Sequence, residues 1–432
     1  MTKRSSFKKL VRERMKKTGE SYSSARRQII AARAPAAGLT HFPGTNPGST
    51  ALRILLSAAG IVNPATKQAF SESMILGISG GLGAGVFTFR YEQHDFSSFF
   101  AAGRHLWQDN LLYMQGCLDR LGVEYRVWES AAAKKGWEQL REALQHGPVA
   151  AWLDMAELPY HGLPAWMSGG GYHLLVIQSL DEDRELAVLS DLMDETVELP
   201  FADLERARLR IKKDKQRLLA ITGRRQAAGL QPAVLAGIRA CREGLTTGRM
   251  KNFTLAAFED WAKQLHGSSG KQSWSVLFPA GRHLWTAQTW AYDCIEHYFS
   301  GGGMLRPLYA DFLEEAASQA DLPELAKLAT QYRSIGAQWS ALADTLLPAD
   351  GGLLGQAREL YELRAESYNS PAEVEVERAE IMARLDALKR QAAQSYPLDA
   401  QAVDNMLSTA QQQLQEICTA ERAALAGLGE VL

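Results

Sequence analysis

Gly169-Gly-Gly-Tyr-His173-Leu-Leu-Val-Ile-Gln-Ser-Leu-Asp181-Glu-Asp-Arg-Glu-Leu-Ala-Val-Leu-Ser-Asp191 reads as two short strands joined by a charged turn. Aliphatic residues fill both arms, and Asp181-Glu-Asp-Arg184 supplies the polar break between them. His173 enters the first arm and Asp191 follows the second, so a hairpin brings the two together. An imidazole held through one nitrogen by a carboxylate keeps a fixed tautomer and accepts a proton through the other. Spacing alone leaves a second reading open, because a histidine at a strand start also serves as a hydrogen-bonded structural residue.

Working outward, Val149 to Leu153 and Thr196 to Leu199 are further β-forming runs. Upstream, the Pro/Gly/Thr/Asn-rich stretch 37–48 leads into Gly48-Ser-Thr-Ala-Leu-Arg-Ile-Leu-Leu-Ser-Ala-Ala-Gly60, with the apolar face and glycine stop of a helix. Helices early and strands late predict an α+β domain over residues 37–223. From about residue 228 strand signals nearly vanish, which predicts a helical domain over 224–350. Residues 351–432, rich in Ala, Glu, Leu, Gln and Arg, predict long antiparallel helices, with Pro371 and Pro397 opening new segments.

Residues 1–36 hold eleven Lys/Arg against Glu13 and Glu20, a net +9, which leaves −11 for the rest of a chain of net −2. Phe7, Leu10, Val11 and then Tyr22, Ala25, Ile29 and Ala32 give this segment the pattern of a basic helical hairpin. No residue set marks a recognition helix, so docking on an acidic face or a partner is expected rather than nucleic-acid binding. No apolar run is long enough to cross a bilayer and no secretory core is present, which places the expected protein in the cytoplasm. Cys117, Cys241, Cys294 and Cys418 lie far apart, without metal-ligand spacing, and are expected as buried free thiols.

No cofactor or metal signature emerges. Gly77-Ile-Ser-Gly-Gly-Leu-Gly-Ala-Gly lacks the phosphate-loop pattern, and Gly267-Ser-Ser-Gly-Lys271 falls short of it. Trp285, Trp290, Tyr292 and Tyr298 recur at near-helical intervals, which favours core packing over a cofactor box. Gly301-Gly-Gly303 predicts a tight turn into a helix, with Arg306 toward an interdomain cleft.

Six segments taken in order resemble a known family: His41-Phe-Pro-Gly-Thr-Asn-Pro-Gly-Ser-Thr-Ala-Leu-Arg53, Ser71-Glu-Ser-Met-Ile-Leu-Gly-Ile-Ser-Gly-Gly-Leu-Gly83, Leu158-Pro-Tyr160, the His173 to Asp191 hairpin, Lys251-Asn-Phe253 and Gly301 to Ala316. They look like the papain-like N-terminal domain of the butirosin H-type acyltransferase family and the helical domain that accompanies it, over residues 38–345. The resemblance implies a cysteine-protease-type fold and acyl transfer from a carrier-protein thioester to an amine in natural-product assembly. It implies His173 as base and Asp191 as its orienter. Asn46, Pro47, Gly48, Ser49 and Tyr160 are the candidate substrate contacts.

The chain departs from that pattern where the family carries its nucleophilic cysteine, at Pro47. Proline has neither a thiol nor a backbone N–H, so it forms no acyl-enzyme and donates nothing to an oxyanion. Asn46 and Pro47 instead suit the N-cap and first position of a helix. Ser49 and Thr50 point about 200° and 300° away from position 47 around a helix and do not replace it. The expected chemistry is base-assisted direct transfer from an activated acyl donor, with an acyl carrier protein as candidate partner. The alternative is a catalytically silent relative that binds a metabolite or a biosynthetic partner protein. A homodimer through the C-terminal helices is expected from their amphipathic composition.

Overall fold

The computed structural model describes residues 12–19, 25, 39–91, 96–106, 109–225, 229–267, 270–368 and 375–432. Most of the expected N-terminal hairpin, and Pro371, lie outside the described residues. Within residues 12–18, which are helical, Arg12 donates to both carboxylate oxygens of Glu366, at 2.6 and 3.4 Å. One basic side chain of the segment thus docks on an acid of the body.

The elements in chain order are α1 (Pro47–Ala58), α2 (Glu72–Ile78), β1 (Gly85–Tyr91), β2 (Phe96–Ala102), α3 (Leu111–Arg120), β3 (Val123–Trp128), α4 (Ala133–Leu144), β4 (Val149–Asp154), β5 (Tyr172–Asp181), β6 (Leu186–Ser190), β7 (Val197–Pro200), α5 (Phe201–Arg210) and β8 (Leu218–Arg224). Helices follow: α6 (Leu230–Thr247), α7 (Ala256–Leu265), α8 (Trp274–Leu277), α9 (Arg282–Glu296), α10 (Arg306–Gln319), α11 (Leu325–Leu346), α12 (Leu353–Ser367), α13 (Glu375–Gln394) and α14 (Ala400–Val431). The protein is therefore α+β with a helical second half.

Six strands form one antiparallel sheet in the order β3-β8-β4-β5-β6-β7, and β1-β2 forms a separate hairpin. Side chains alternate across the sheet as a period of two requires. On β5, Leu174 and Val176 join the large core that includes α1, while Leu175 and Ile177 join the smaller core with Leu140 of α4 and Leu204 of α5. On β4, Ala150 and Trp152 face the first core and Val149, Ala151 and Leu153 the second. Both central strands are covered on both faces, which explains their nearly unbroken apolar sequence.

Strands β1, β2, β3 and β8 were not among the β-forming runs expected from sequence, and β1-β2 corrects the order of helices early and strands late. Gly85, Arg90 and the serines of Phe96-Ser-Ser-Phe dilute the β signal, and β2 gains its stability from packing on α9.

The large core continues from Phe42 through the helical half to Leu428, so residues 351–432 share the core of 224–350. Leu407, Ala410, Leu414, Ile417, Leu425 and Leu428 are buried along one stripe of α14, which packs on α7 and α11 of its own chain. The stripe that motivated a homodimer is already covered. Arg306 also differs from expectation: it is fully buried, donating from Nε to Glu421 Oε1 at 2.6 Å, with Trp339 donating to the same oxygen at 3.2 Å. Removing either partner of such a pair would cost about 3–5 kcal/mol, because the other charge stays buried alone.

Candidate active site

His173 is the second residue of β5 and pairs in register with Leu153 of β4, while Asp191 follows the last residue of β6. The hairpin brings them into contact, with His173 Nε2 at 2.7 and 2.8 Å from the two carboxylate oxygens of Asp191. Asp191 accepts two further bonds, from the Tyr160 hydroxyl at 3.0 Å and the Leu192 N–H at 2.7 Å. Burial opposes its ionisation, yet the adjacent His173 and His161 hold its pKa well below the ordinary value.

The backbone on either side of Asp191 is fixed by His41. Its Nδ1 lies 3.0 Å from Ser190 Oγ and its Nε2 3.0 Å from the Met193 carbonyl. Gln178 of β5 completes the brace, donating to Ser190 Oγ at 2.8 Å and to the Thr40 carbonyl at 2.7 Å.

With Nε2–H donated to Asp191, Nδ1 of His173 is the acceptor nitrogen. It is buried and has no hydrogen-bond partner among the described residues. The ring lies flat against Phe299, at 5.4 Å between centroids and 22° between planes, and meets the edge of His161 at 5.0 Å and 80°. His161 Nε2 is 3.4 Å from Asp191 Oδ2, in ion-pair range but outside hydrogen-bond geometry. Burial pushes the His161 pKa down to about 4, against the upward pull of Asp191.

His173, Asp191 and His161 line a cavity of about 210 Å³ between the two halves of the chain. Thr45, Trp166 and Met193 contribute from the α+β half, and Trp285, Trp290, Phe299 and Tyr368 from the helical half. Arg364, partly buried, pairs with the buried Asp293 on the same wall, and Lys389 and Asp386 add charge at its more exposed part.

The Gly301-Gly-Gly303 run makes the expected tight turn, and the left-handed backbone extends to its neighbours: Phe299, Met304 and Leu305 have φ of 55°, 55° and 69°. A Cβ on Gly301 would come within 2.4 Å of Thr45 Cγ2, so glycine lets this turn close on the loop before α1. Such conformations cost about 1–3 kcal/mol each in a non-glycine residue and persist where packing over-determines them.

None of the five expected substrate contacts, Asn46, Pro47, Gly48, Ser49 and Tyr160, is among the residues that line this cavity. Asn46 and Pro47 are the N-cap and first residue of α1. Ser49 is fully buried and donates to Glu72 Oε1 at 3.0 Å, and Tyr160 stands behind Asp191 as its hydrogen-bond donor. Glu72 also accepts from the N–H groups of Thr45 and Asn46 and from the Thr50 hydroxyl. The amides leading into α1 are thus committed to a carboxylate rather than offered to a substrate oxygen.

Sequence reasoning missed His161, the residue directly after Leu158-Pro-Tyr160. The core reading of the aromatic group holds for Trp285 and Tyr292, buried in the large core with Trp290 packed against it; Trp285, Trp290 and Tyr298 also line the cavity, while Tyr292 is turned away, donating to Glu362 at 3.2 Å.

Residues 46–192 match the family described as butirosin biosynthesis protein H, N-terminal. Residues 202–366 match a domain of unknown function, DUF4872. No curated protein matches the chain. The two matches meet on either side of the cavity, the first containing His161, His173 and Asp191 and the second Trp285, Phe299 and Arg364.

Proposed function

Because the chain belongs to the butirosin H-type family, carrying that N-terminal domain with a DUF4872 domain behind it, we propose that it is an amide-forming acyltransferase of antibiotic biosynthesis. The donor is an activated acyl group such as a carrier-protein thioester, and the acceptor is a small-molecule amine. One observation carries the reading: a buried imidazole oriented by a carboxylate stands on a cavity wall with its second nitrogen uncommitted.

The amine nitrogen attacks the thioester carbonyl carbon while His173 Nδ1 accepts its proton, and Asp191 stabilises the imidazolium that forms. The C–S bond then breaks, and the departing sulfur takes the proton from His173. Amide and free thiol are the products, and no acyl-enzyme is made. The aromatic walls hold donor and acceptor together and exclude water, so positioning supplies much of the rate. In this reading α1 occupies the place of the nucleophile-bearing helix of a papain-type fold, with Pro47 at its start in place of cysteine.

The Glu72 cluster and Pro47 favour a second reading, a silent relative that binds a metabolite in the same cavity. A screen of synthetic pantetheine thioesters against an amine panel, followed by product mass, separates the two. Amide formed by the native chain and lost in His173→Ala is expected. Binding of an acyl donor or amine with no turnover by the native chain would replace the enzyme reading with the binding one.

A further inference from the structure

His161, His173 and Asp191 offer two imidazole nitrogens and a carboxylate oxygen that all lie within 4.8 Å of one another, each residue buried. No metal is expected from the sequence, because the three ligands come from a turn, a strand and a strand end, at spacings of 12 and 18 residues that match no local motif. Two imidazoles and one carboxylate form a familiar ligand set for catalytic zinc, which keeps a fourth position open. Here the cavity supplies that open side.

A second observation is independent of the proximity. His161 is 4% exposed, yet neither of its ring nitrogens makes a hydrogen bond among the described residues. Buried polar groups are nearly always satisfied, so Nε2, 3.4 Å from the Asp191 carboxylate but without a hydrogen bond, asks for a missing partner. The geometry allows a cation to be that partner. At metal–ligand distances of about 2.0–2.2 Å, tetrahedral ligand atoms are separated by about 3.3–3.6 Å. His161 Nε2 is already 3.4 Å from Asp191 Oδ2, while His173 Nε2, now 2.8 Å from the same oxygen, would open by about 0.5–0.8 Å. Tyr160 and the Leu192 amide hold the carboxylate from behind, as outer partners do in metal sites.

We propose that His161 Nε2, His173 Nε2 and the Asp191 carboxylate bind one zinc-class divalent cation, and that the bound cation silences His173 as a base. Coordination through Nε2 displaces the proton now donated to Asp191, and a neutral imidazole then carries its proton on Nδ1, the nitrogen that would accept one from the amine. The binding claim stands on the three side chains alone; the silencing claim rests on the acyltransferase reading.

The test uses the full chain, stripped with a chelator, and two probes. Cobalt(II) is titrated with its visible d–d absorption as readout, and zinc is titrated in competition with a chromogenic indicator. The expected result is one cation per chain with a tetrahedral cobalt spectrum, weakened at least about 100-fold in His161→Gln, beyond the about 10–100-fold that outer-partner changes cost. Asp191→Asn should weaken binding likewise, and His266→Ala, at the half-exposed His266–Asp404 pair, should leave it unchanged. Thermal melts establish that the variants fold. A native chain that takes up no cobalt or zinc, or a folded His161→Gln that binds both as the native chain does, overturns the site. Stoichiometric zinc that leaves amide formation undiminished overturns the silencing alone, and cation binding in a chain without acyl transfer leaves the site standing while the function fails.

Discussion

Phe299 of the helical half lies flat against His173 of the sheet, with ring centroids 5.4 Å apart. One face of the imidazole is therefore built by a different domain from the strand that carries it. The contact depends on a left-handed backbone at Phe299, φ 55°, just before the glycine run. A stacked aromatic pair is worth about 0.5–1.5 kcal/mol beyond its buried area. Phe299→Ala should lower kcat for amide formation by about 2- to 12-fold. Steady-state kinetics on the native chain and the variant check this, with the melting temperature as control for folding.

Glu72 anchors the loop that leads to the cavity wall at Thr45. It accepts from the amides of Thr45 and Asn46 and from the hydroxyls of Ser49 and Thr50, all at 2.7 to 3.1 Å. Glu72→Ala leaves these donors without their acceptor, at about 1–3 kcal/mol for a buried group and more where several are lost together. Denaturant titration should show a drop of about 2–4 kcal/mol in unfolding free energy, whereas Tyr160→Phe, which removes one donor to Asp191, should cost about 1 kcal/mol.

Part of this site was legible in the chain. The His173–Asp191 pair followed from a hairpin pattern, since two apolar runs around a charged turn fix which ends meet. Asn46 and Pro47 also signalled their cap and first-turn roles, because those roles depend on local backbone chemistry. His161 was not legible, since its approach to Asp191 arises from packing of the turn after β4 and not from any spacing. Phe299, Trp285 and Arg364 reach the cavity only when the helical half folds onto the sheet. An amphipathic helix pattern shows which residues leave water without showing whether they meet a core or a cavity. The same blindness affected α14, whose apolar stripe looked free for a second copy and is covered by α7 and α11.

Acid should destabilise the protein through its buried histidines. Burial lowers the pKa of His41, and it pushes His161 to about 4, both from an ordinary 6.5. Between these limits the unfolded chain binds protons that the folded chain refuses, so stability is full above about pH 6.5 and falls as pH drops toward 4. His161 alone accounts for about 3 kcal/mol at most over this window. Melting temperatures in chelator-containing buffer should decline from pH 7 to pH 5. His161→Gln should flatten that decline; an unchanged slope would mean that His161 is already protonated in the folded state.

Position 47 decides whether the scaffold retains a place for a nucleophile. The four native cysteines are buried, and burial raises their thiol pKa values, to about 12 for Cys117 and Cys418 and about 11 for Cys241. Thiols in that state are scarcely ionised at neutral pH and react slowly with alkylating agents. A thiol introduced by Pro47→Cys instead stands at the first position of α1, where the helix N-terminus favours a thiolate, and position 47 is only partly buried. Intact mass after brief iodoacetamide treatment should show no adduct on the native chain and a single adduct on the variant. With a pantetheine thioester in place of iodoacetamide, a single acyl adduct on Pro47→Cys would mean that the donor reaches the start of α1 and that only the nucleophile has been lost. Alkylation without acylation would mean that the Glu72-bound loop has closed that end of the site, leaving direct transfer in the cavity beside His173 as the remaining route.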